Sequence, residues 1–262
     1  MDRPHILLTN DDGIESVGFV ALYDALSEVA DVTAVAPADD QSAVGRKMSH
    51  RVDVTEHELG YAIEGTPADC TVVGLESLCP DADMVVAGCN KGANLGAYVL
   101  GRSGTVSAAV EAAFFDVPAI AASLYIPAGD VPWQEAATEP EAFREATDAT
   151  TYLVENALEA GVFEQAEYLN VNAPLPGHDP APMQVTRPST MYEMTAEHDA
   201  ENGHITLTDN VWTRMRNDDI PDPDGTDRRA IVDGKVSVSP LTAPHTTERH
   251  ESLDGLATAY RR

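Results

Sequence analysis

His5-Ile6-Leu7-Leu8-Thr9-Asn10-Asp11-Asp12-Gly13 runs a short apolar strand into two adjacent carboxylates and a glycine. In open α/β sheets ligands collect beyond the carboxyl ends of the strands, and hard divalent cations such as Mg²⁺ or Mn²⁺ take carboxylate, carbonyl and water oxygens. Asp11 and Asp12 are therefore candidate metal ligands and catalytic residues. Taken alone, the same three residues also suit an acidic turn that caps the next helix. The surrounding segments decide between the two.

After Gly13 the pattern turns helical, with Phe19, Leu22, Leu26 and Val29 on one face, and Asp31 to Ala36 is a second strand closed by Pro37. A polar loop from Ala38 to Ser49 leads to two short strand candidates, Val52 to Thr55 and Tyr61 to Glu64, which read as a hairpin. Thr66-Pro67 then opens a helix, threonine as N-cap and proline at the first helical position. Asp83 to Gly88 is a buried strand, followed by the glycine-punctuated loop Gly88-Cys89-Asn90-Lys91-Gly92-Ala93-Asn94-Leu95-Gly96. Ser103-Gly104-Thr105 starts an alanine-rich helix to Phe115, and Pro118 to Leu124 is the next strand. This order predicts a mostly parallel sheet with helices on both faces.

The second half is less regular. A helix is expected from about Glu139 to Ala160 and a core strand from Tyr168 to Val171. Beyond Pro174 come short strands at Gln184 to Arg187, His204 to Thr208 and Lys235 to Val238, with a long acidic loop from Asn217 to Asp227. These hairpins have no evident core of their own, and isolated hairpins are marginal in water. They read as an appendage used in oligomerisation, with a C₂ dimer or a dimer of dimers as the default symmetry.

Composition narrows the function classes. The chain has 262 residues, enough for one sizeable core, and its three cysteines, Cys70, Cys79 and Cys89, have no C-x-x-C spacing. That argues against a disulfide framework and suggests a reducing cytoplasm; nothing resembles a signal peptide or a membrane span. Against 44 acidic residues stand 16 basic ones, for a formal net charge of −28. The acids are dispersed rather than gathered in a tail, as in proteins adapted to salt, where the screening length falls to about 3 Å at 1 M. Such a field disfavours duplex nucleic acid and anionic membranes as partners.

Strand-end loops supply further donors. Ser42 follows strand two, and Asn90 and Asn94 follow the strand ending at Gly88. Two carboxylates, an asparagine carbonyl and a serine hydroxyl, completed by water or phosphate, make a plausible shell for a hard cation. Ser103, Gly104 and Thr105 add hydroxyls and amides at a helix N-terminus, where an anion is favoured. Together these features suggest metal-assisted phosphate hydrolysis.

The ordered motifs Thr9-Asn10-Asp11-Asp12-Gly13, Gly65-Thr66-Pro67-Ala68-Asp69-Cys70, Gly88-x-Asn90-x-Gly92-x-Asn94-Leu95-Gly96, Ser103-Gly104-Thr105 and Leu169-Asn170-Val171-Asn172-Ala173-Pro174 resemble the SurE family of 5'-nucleotidases. Gly225-Thr226-Asp227 and Val236-Ser237-Val238-Ser239-Pro240-Leu241 extend the likeness over nearly the whole chain. The resemblance implies a Rossmann-like core over residues 1–175 and, within the same domain, a hairpin-rich oligomerisation extension over 176–262. It implies hydrolysis of nucleoside 5'-monophosphates in the cytoplasm by a homodimer or homotetramer holding one divalent metal ion per subunit, Mg or Mn. Position by position, the metal ligands fall on Asp11, Asp12, Ser42 and Asn90, and the phosphate falls at Asn94, Ser103, Gly104 and Thr105. Ala93 stands where the family usually has proline, and the loop Asp39 to Gly45 replaces a basic, Gly- and Ser-rich version.

Other classes fit less well. A haloacid-dehalogenase-type phosphatase needs two aspartates one residue apart after strand one, and here the pairs are Asn10/Asp12 and Asp11/Gly13. A receiver domain needs an aspartate after a later central strand, where Gly88, Cys89 and Asn90 stand. A noncatalytic nucleotide sensor on a similar sheet is the remaining alternative. Lys91 is placed to offset phosphate charge or to be a solvated loop lysine, and His245 and His250 lack the i,i+4 spacing of a helical metal pair.

Overall fold

The computed structural model describes residues 3–127, 129, 132, 135–245 and 251–259. Its first strand, β1 (His5–Thr9), is apolar at every inner position because it is covered on both sides. It pairs in parallel with β2 (Asp31–Pro37) and β5 (Met84–Lys91). Successive side chains alternate between faces: Ile6 and Leu8 join Phe19, Leu22 and Leu26 of α1 (Val17–Ser27), while Leu7 joins Cys70 of α2 (Pro67–Val73) and Val106 of α4 (Gly104–Phe114).

The sheet has nine strands in the order β3-β4-β2-β1-β5-β6-β7-β11-β8. The expected hairpin is present as β3 (Val54–His57) antiparallel to β4 (Gly60–Ile63), and β4 runs parallel to β2. β6 (Ala119–Leu124) and β7 (Tyr168–Ala173) continue the parallel set, each fully buried. Thr66 caps α2 as the sequence predicts: its hydroxyl accepts from the Asp69 amide, and Asp69 Oδ2 accepts from the Thr66 amide, with Pro67 at the first turn.

Two regions differ from the sequence reading. The long helix expected from Glu139 to Ala160 is a 3₁₀ turn, Pro140–Phe143, followed by α5 (Arg144–Asn156), which packs beside α1. The segment after Pro174 divides between two places. β8 (Met183–Val185) and β11 (Val236–Leu241) join the main sheet beside β7, whereas β9 (Met194–Asp199) and β10 (His204–Asp209) form a separate antiparallel ribbon. β9 and two short helices, α6 (Asn210–Arg216) and α7 (Asp227–Val232), are absent from the sequence reading. β9 is exposed along most of its length and shows no apolar alternation, and α7 spans six residues, too few to express a helical period. A short α3 (Ala97–Leu100) and a terminal α8 (Glu251–Ala259) complete the described elements. His245 is exposed, and His250 lies outside the described residues.

Candidate active site

β1, β2 and β5 are parallel neighbours, so the loops leaving their carboxyl ends meet on one edge of the sheet. They enclose a cleft of about 610 Å³ lined by Asp11, Asp12, Ser42, Asn90, Asn94 and Ser103 among others. Six of the eight residues singled out from sequence thus come together. Gly104 and Thr105 do not line the cleft; they lie behind Asp11.

That second position follows from packing. Thr105 is fully buried, and its hydroxyl donates to Asp11 Oδ1 at 2.5 Å. A Cβ at Gly104 would stand 2.8 Å from both Cβ and Oδ2 of Asp11, so only glycine lets the α4 N-terminus approach the carboxylate this closely. Ser103 is the N-cap of α4, its Oγ accepting from the Val106 amide at 3.1 Å.

The other candidates are fixed by neighbours from distant parts of the chain. Asp12 Oδ2 accepts from the Lys91 amide at 2.7 Å. The Ser42 loop hangs on the Asp11 carbonyl, which accepts from the Gln41 amide at 2.7 Å, and exposed Ser42 donates from Oγ to Asp40 Oδ1 at 2.6 Å. Asn90 commits its amide nitrogen to the Gly92 carbonyl at 2.5 Å. The Asn94 amide group donates to Ser123 Oγ at 2.9 Å, its backbone N–H donates to Asn172 Oδ1 at 2.8 Å, and its carbonyl accepts from Asn170 Nδ2 at 2.8 Å.

Asn170, Asn172 and Ser123 went unassigned in the sequence reading. Their signal was present: two asparagines at i,i+2 point to one face of an otherwise apolar strand, a costly arrangement unless both are hydrogen-bonded. Asp227 and Arg228 form a second support. Asp227 accepts from the amides of Gly96 and Ser189, at 2.6 and 2.8 Å. Fully buried Arg228 donates from Nη1 to the Met191 carbonyl at 2.9 Å and from Nη2 to the Leu95 carbonyl at 3.2 Å. Gly96 has φ +89°, and a Cβ there would meet the Arg228 guanidinium at 2.1 Å. The loop that carries Asn90 and Asn94 is thereby clamped at its far end by α7.

Arg102 also lines the cleft, its guanidinium 5.0 Å from the Tyr98 ring centroid. Lys91 lines the cleft as well, and its charge works against the rise in the Asp12 pKa. Burial pushes the Asp11 pKa up, opposed by the hydroxyl and amide of Thr105. Burial, and then the charge of Asp11, push Asp12 up to about 7. Two acids forced together out of water, beside an amide and a hydroxyl, form an all-oxygen donor set that a hard divalent cation fits, because it would neutralise the charge that burial penalises.

The family model described as survival protein SurE matches residues 6–195. A protein named 5'-nucleotidase SurE from Haloquadratum walsbyi is 66% identical over 256 residues, covering 97% of this chain and 96% of that one. Its namesake from Haloarcula marismortui is 66% identical over 261 residues, covering 99% and 96%. The crystal structure of the SurE protein from Aquifex aeolicus superposes with a TM-score of 0.77 at 29% identity, covering 97% of this chain and all of that one. The dispersed acidic surface and these relatives agree on a salt-adapted source.

Proposed function

The chain belongs to the SurE family, and we propose that it is a metal-dependent 5'-nucleotidase that releases phosphate from nucleoside 5'-monophosphates. The observation that carries this reading is the adjacent pair of buried Asp11 and half-buried Asp12, which line one cleft with Asn90, Ser42, Asn94 and Ser103.

Asp11, Asp12, Asn90 and Ser42 would hold one divalent ion, Mg or Mn, by oxygen. When bound, that ion supplies Lewis-acid polarisation of a phosphoryl oxygen and a water acidic enough to attack. The chain's own residues do the rest. Thr105 and the Lys91 amide hold the two carboxylates in orientation, and one carboxylate takes the proton of the attacking water. Asn94 and Ser103 border the phosphate position, with Gly104 and Thr105 completing the turn behind it, and Arg102 brings cationic charge to an anionic substrate.

We further infer a homodimer or homotetramer built through the segment 176–262. The β9–β10 ribbon stands off the main sheet with Ile205 and Leu207 exposed, as a surface kept for a second subunit would be. A cytoplasmic setting fits three free cysteines, all buried, and no described helix is long and apolar enough to cross a membrane.

The test is phosphate release from a panel of nucleoside monophosphates in molar KCl, with Mg²⁺ or Mn²⁺ and with chelator. Metal-dependent release that chelator abolishes is expected. Tight nucleotide binding without release under any metal would overturn the enzyme reading in favour of a sensor. Sedimentation in the same salt checks the assembly, and an active monomer alone would remove that inference.

A further inference from the structure

Between the motif that ends at Gly96 and the one that starts at Ser103, the chain carries Tyr98 and Arg102. Tyr98 belongs to α3, and Arg102 directly precedes Ser103, the N-cap of α4. The Arg102 and Ser103 amides both donate to the Val99 carbonyl, at 2.8 and 3.1 Å, which closes the turn between the two helices. That turn sets the Arg102 guanidinium 5.0 Å from the Tyr98 ring centroid, and both Arg102 and Ser103 line the cleft.

Resting on the nucleotidase reading for the identity of the anion, we propose that Arg102 binds the 5'-phosphate of the substrate and that the Tyr98 ring is the positioning residue that holds its guanidinium at the cleft. Charge is the first argument. A phosphate monoester brings about two negative charges near neutral pH into a cleft already lined by Asp11, Asp12 and Asp40. Among the described residues, two cationic side chains line that cleft, Lys91 and Arg102. The charge of Lys91 acts on Asp12. Arg102 is exposed and makes no side-chain hydrogen bond or ion pair among the described residues. Its planar fork of N–H donors, which matches phosphate oxygens two at a time, is open to an anion.

Position is the second argument. A long exposed side chain loses rotamer freedom when it binds, and holding it in place beforehand reduces that cost. An aromatic ring does so without consuming a donor, because a cation over its face is attracted by the ring quadrupole.

The ring itself is fixed by elements remote in sequence. The Tyr98 hydroxyl donates to Oδ2 of Asp209, which pairs with Met194 at the base of the β9–β10 ribbon. Asp209 Oδ1 accepts from the Val211 amide at 3.2 Å as the N-cap of α6, so the anchor is held at both oxygens. Tyr192 packs edge-on against Tyr98, with centroids 4.9 Å apart and planes at 87°. The Ala97 amide, one residue earlier, donates to the Ser189 carbonyl at 2.8 Å. Burial, and then the bond to Asp209, push the Tyr98 phenol up to about 12, so it stays a neutral donor throughout the neutral range. Arg228 also lies near this ring, at 5.2 Å, but its guanidinium is engaged by the Leu95 and Met191 carbonyls. The base of the ribbon thus reaches the cleft through one ring and one arginine.

Two readouts in molar KCl with saturating Mg²⁺ test the pair: steady-state kinetics on a nucleoside 5'-monophosphate, and calorimetric titration of inorganic phosphate, which needs no turnover. Arg102→Ala should raise KM and the phosphate Kd at least about tenfold, the scale of charged hydrogen bonds. It should leave kcat within about threefold, the pattern of a contact made equally in the ground and transition states. Tyr98→Leu should raise KM and Kd about 2- to 5-fold, the scale of an exposed cation–π contact. Tyr98→Phe, which keeps the ring, should stay near the wild type. In the Arg102→Ala background Tyr98→Leu should have no further effect, whereas damage to the fold would act in both backgrounds. Unchanged KM and Kd in Arg102→Ala, a Tyr98→Phe variant as impaired as Tyr98→Leu, or a Tyr98→Leu loss undiminished in the Arg102→Ala background would each overturn the inference and leave the nucleotidase reading in place. No release by the wild type under any metal would overturn that reading instead, while phosphate binding that still depends on Arg102 and Tyr98 would uphold the site.

Discussion

The Thr105 hydroxyl donates to Asp11 Oδ1 at 2.5 Å, joining residues 94 positions apart behind the cleft. The bond orients Asp11 and favours its ionised form, against a burial that pushes its pKa up. Thr105 is thus a positioning residue. Thr105→Val should lower kcat about 10-fold or more, in the range by which general acid–base groups and their orientation act. It should also shift the acidic limb of the pH–rate profile to higher pH, because a bond that lowers the Asp11 pKa is gone. Thr105→Ser should restore both, and a profile that moves to lower pH would contradict the role.

Asp11→Asn and Asp12→Asn each remove a charge from the proposed cation site. Either should reduce phosphate release by orders of magnitude while the folded state, read by near-ultraviolet circular dichroism, is retained. Wild-type turnover with metal bound, in either variant, would show that the carboxylate is dispensable.

The raised pKa of Asp12 has a defined effect on stability. In the folded, metal-free protein this group holds its proton up to about pH 7, whereas in the unfolded chain it ionises near 3.8. Between these values the folded state binds more protons, so its contribution to stability is fully present below about pH 4 and is lost as pH rises toward 7. Saturating divalent metal should reverse the loss, adding about 2.7 kcal/mol at a concentration 100 times Kd. Thermal unfolding from pH 5 to 8, with chelator and with Mn²⁺, should show the two curves diverging as pH increases.

Arg228 clamps the loop that carries Asn94. Arg228→Leu leaves the Leu95 and Met191 carbonyls without their buried donors and should cost roughly 3 kcal/mol, the scale of charged hydrogen bonds. Denaturant titration measures the loss. Phosphate release should fall further than the change in folded fraction accounts for, since the clamped loop borders the cleft.

Salt should act on folding, assembly and catalysis together. With a formal net charge of −28, any contact between copies of the chain and any approach of an anionic substrate would oppose like charges. Thermal stability and phosphate release should therefore rise as KCl increases from about 0.1 M to about 2 M, as the screening length falls from about 10 Å toward 3 Å and below. A monotonic decline in both would require another explanation for the acidic surface.

Much of the fold was legible because it is locally encoded. The apolar run Ile6-Leu7-Leu8, the Thr66-Pro67 helix start and the Ser103-Gly104-Thr105 helix start each declare an element within a few residues, and each is found as expected. The ribbon strand β9 and the short helix α7 carry no such period. Neither does the division of the last third between the main sheet and the ribbon, which depends on the free edge that β7 offers to β11.

For the site, the chain alone determined which residue types leave the strand ends: Asp11 and Asp12 after β1, Ser42 after β2, Asn90 and Asn94 after β5. Parallel strands ending on one edge were enough to bring them together. Only the tertiary structure decided that Thr105 turns its hydroxyl to Asp11 and not to the cleft, that Asn170 and Asn172 hold Asn94, and that Arg228 reaches Leu95 across 133 positions. The physical reason is that these polar groups are buried where water cannot pair with them. Their partners are whatever the strand order brings within about 3 Å, a relation that no local sequence pattern encodes.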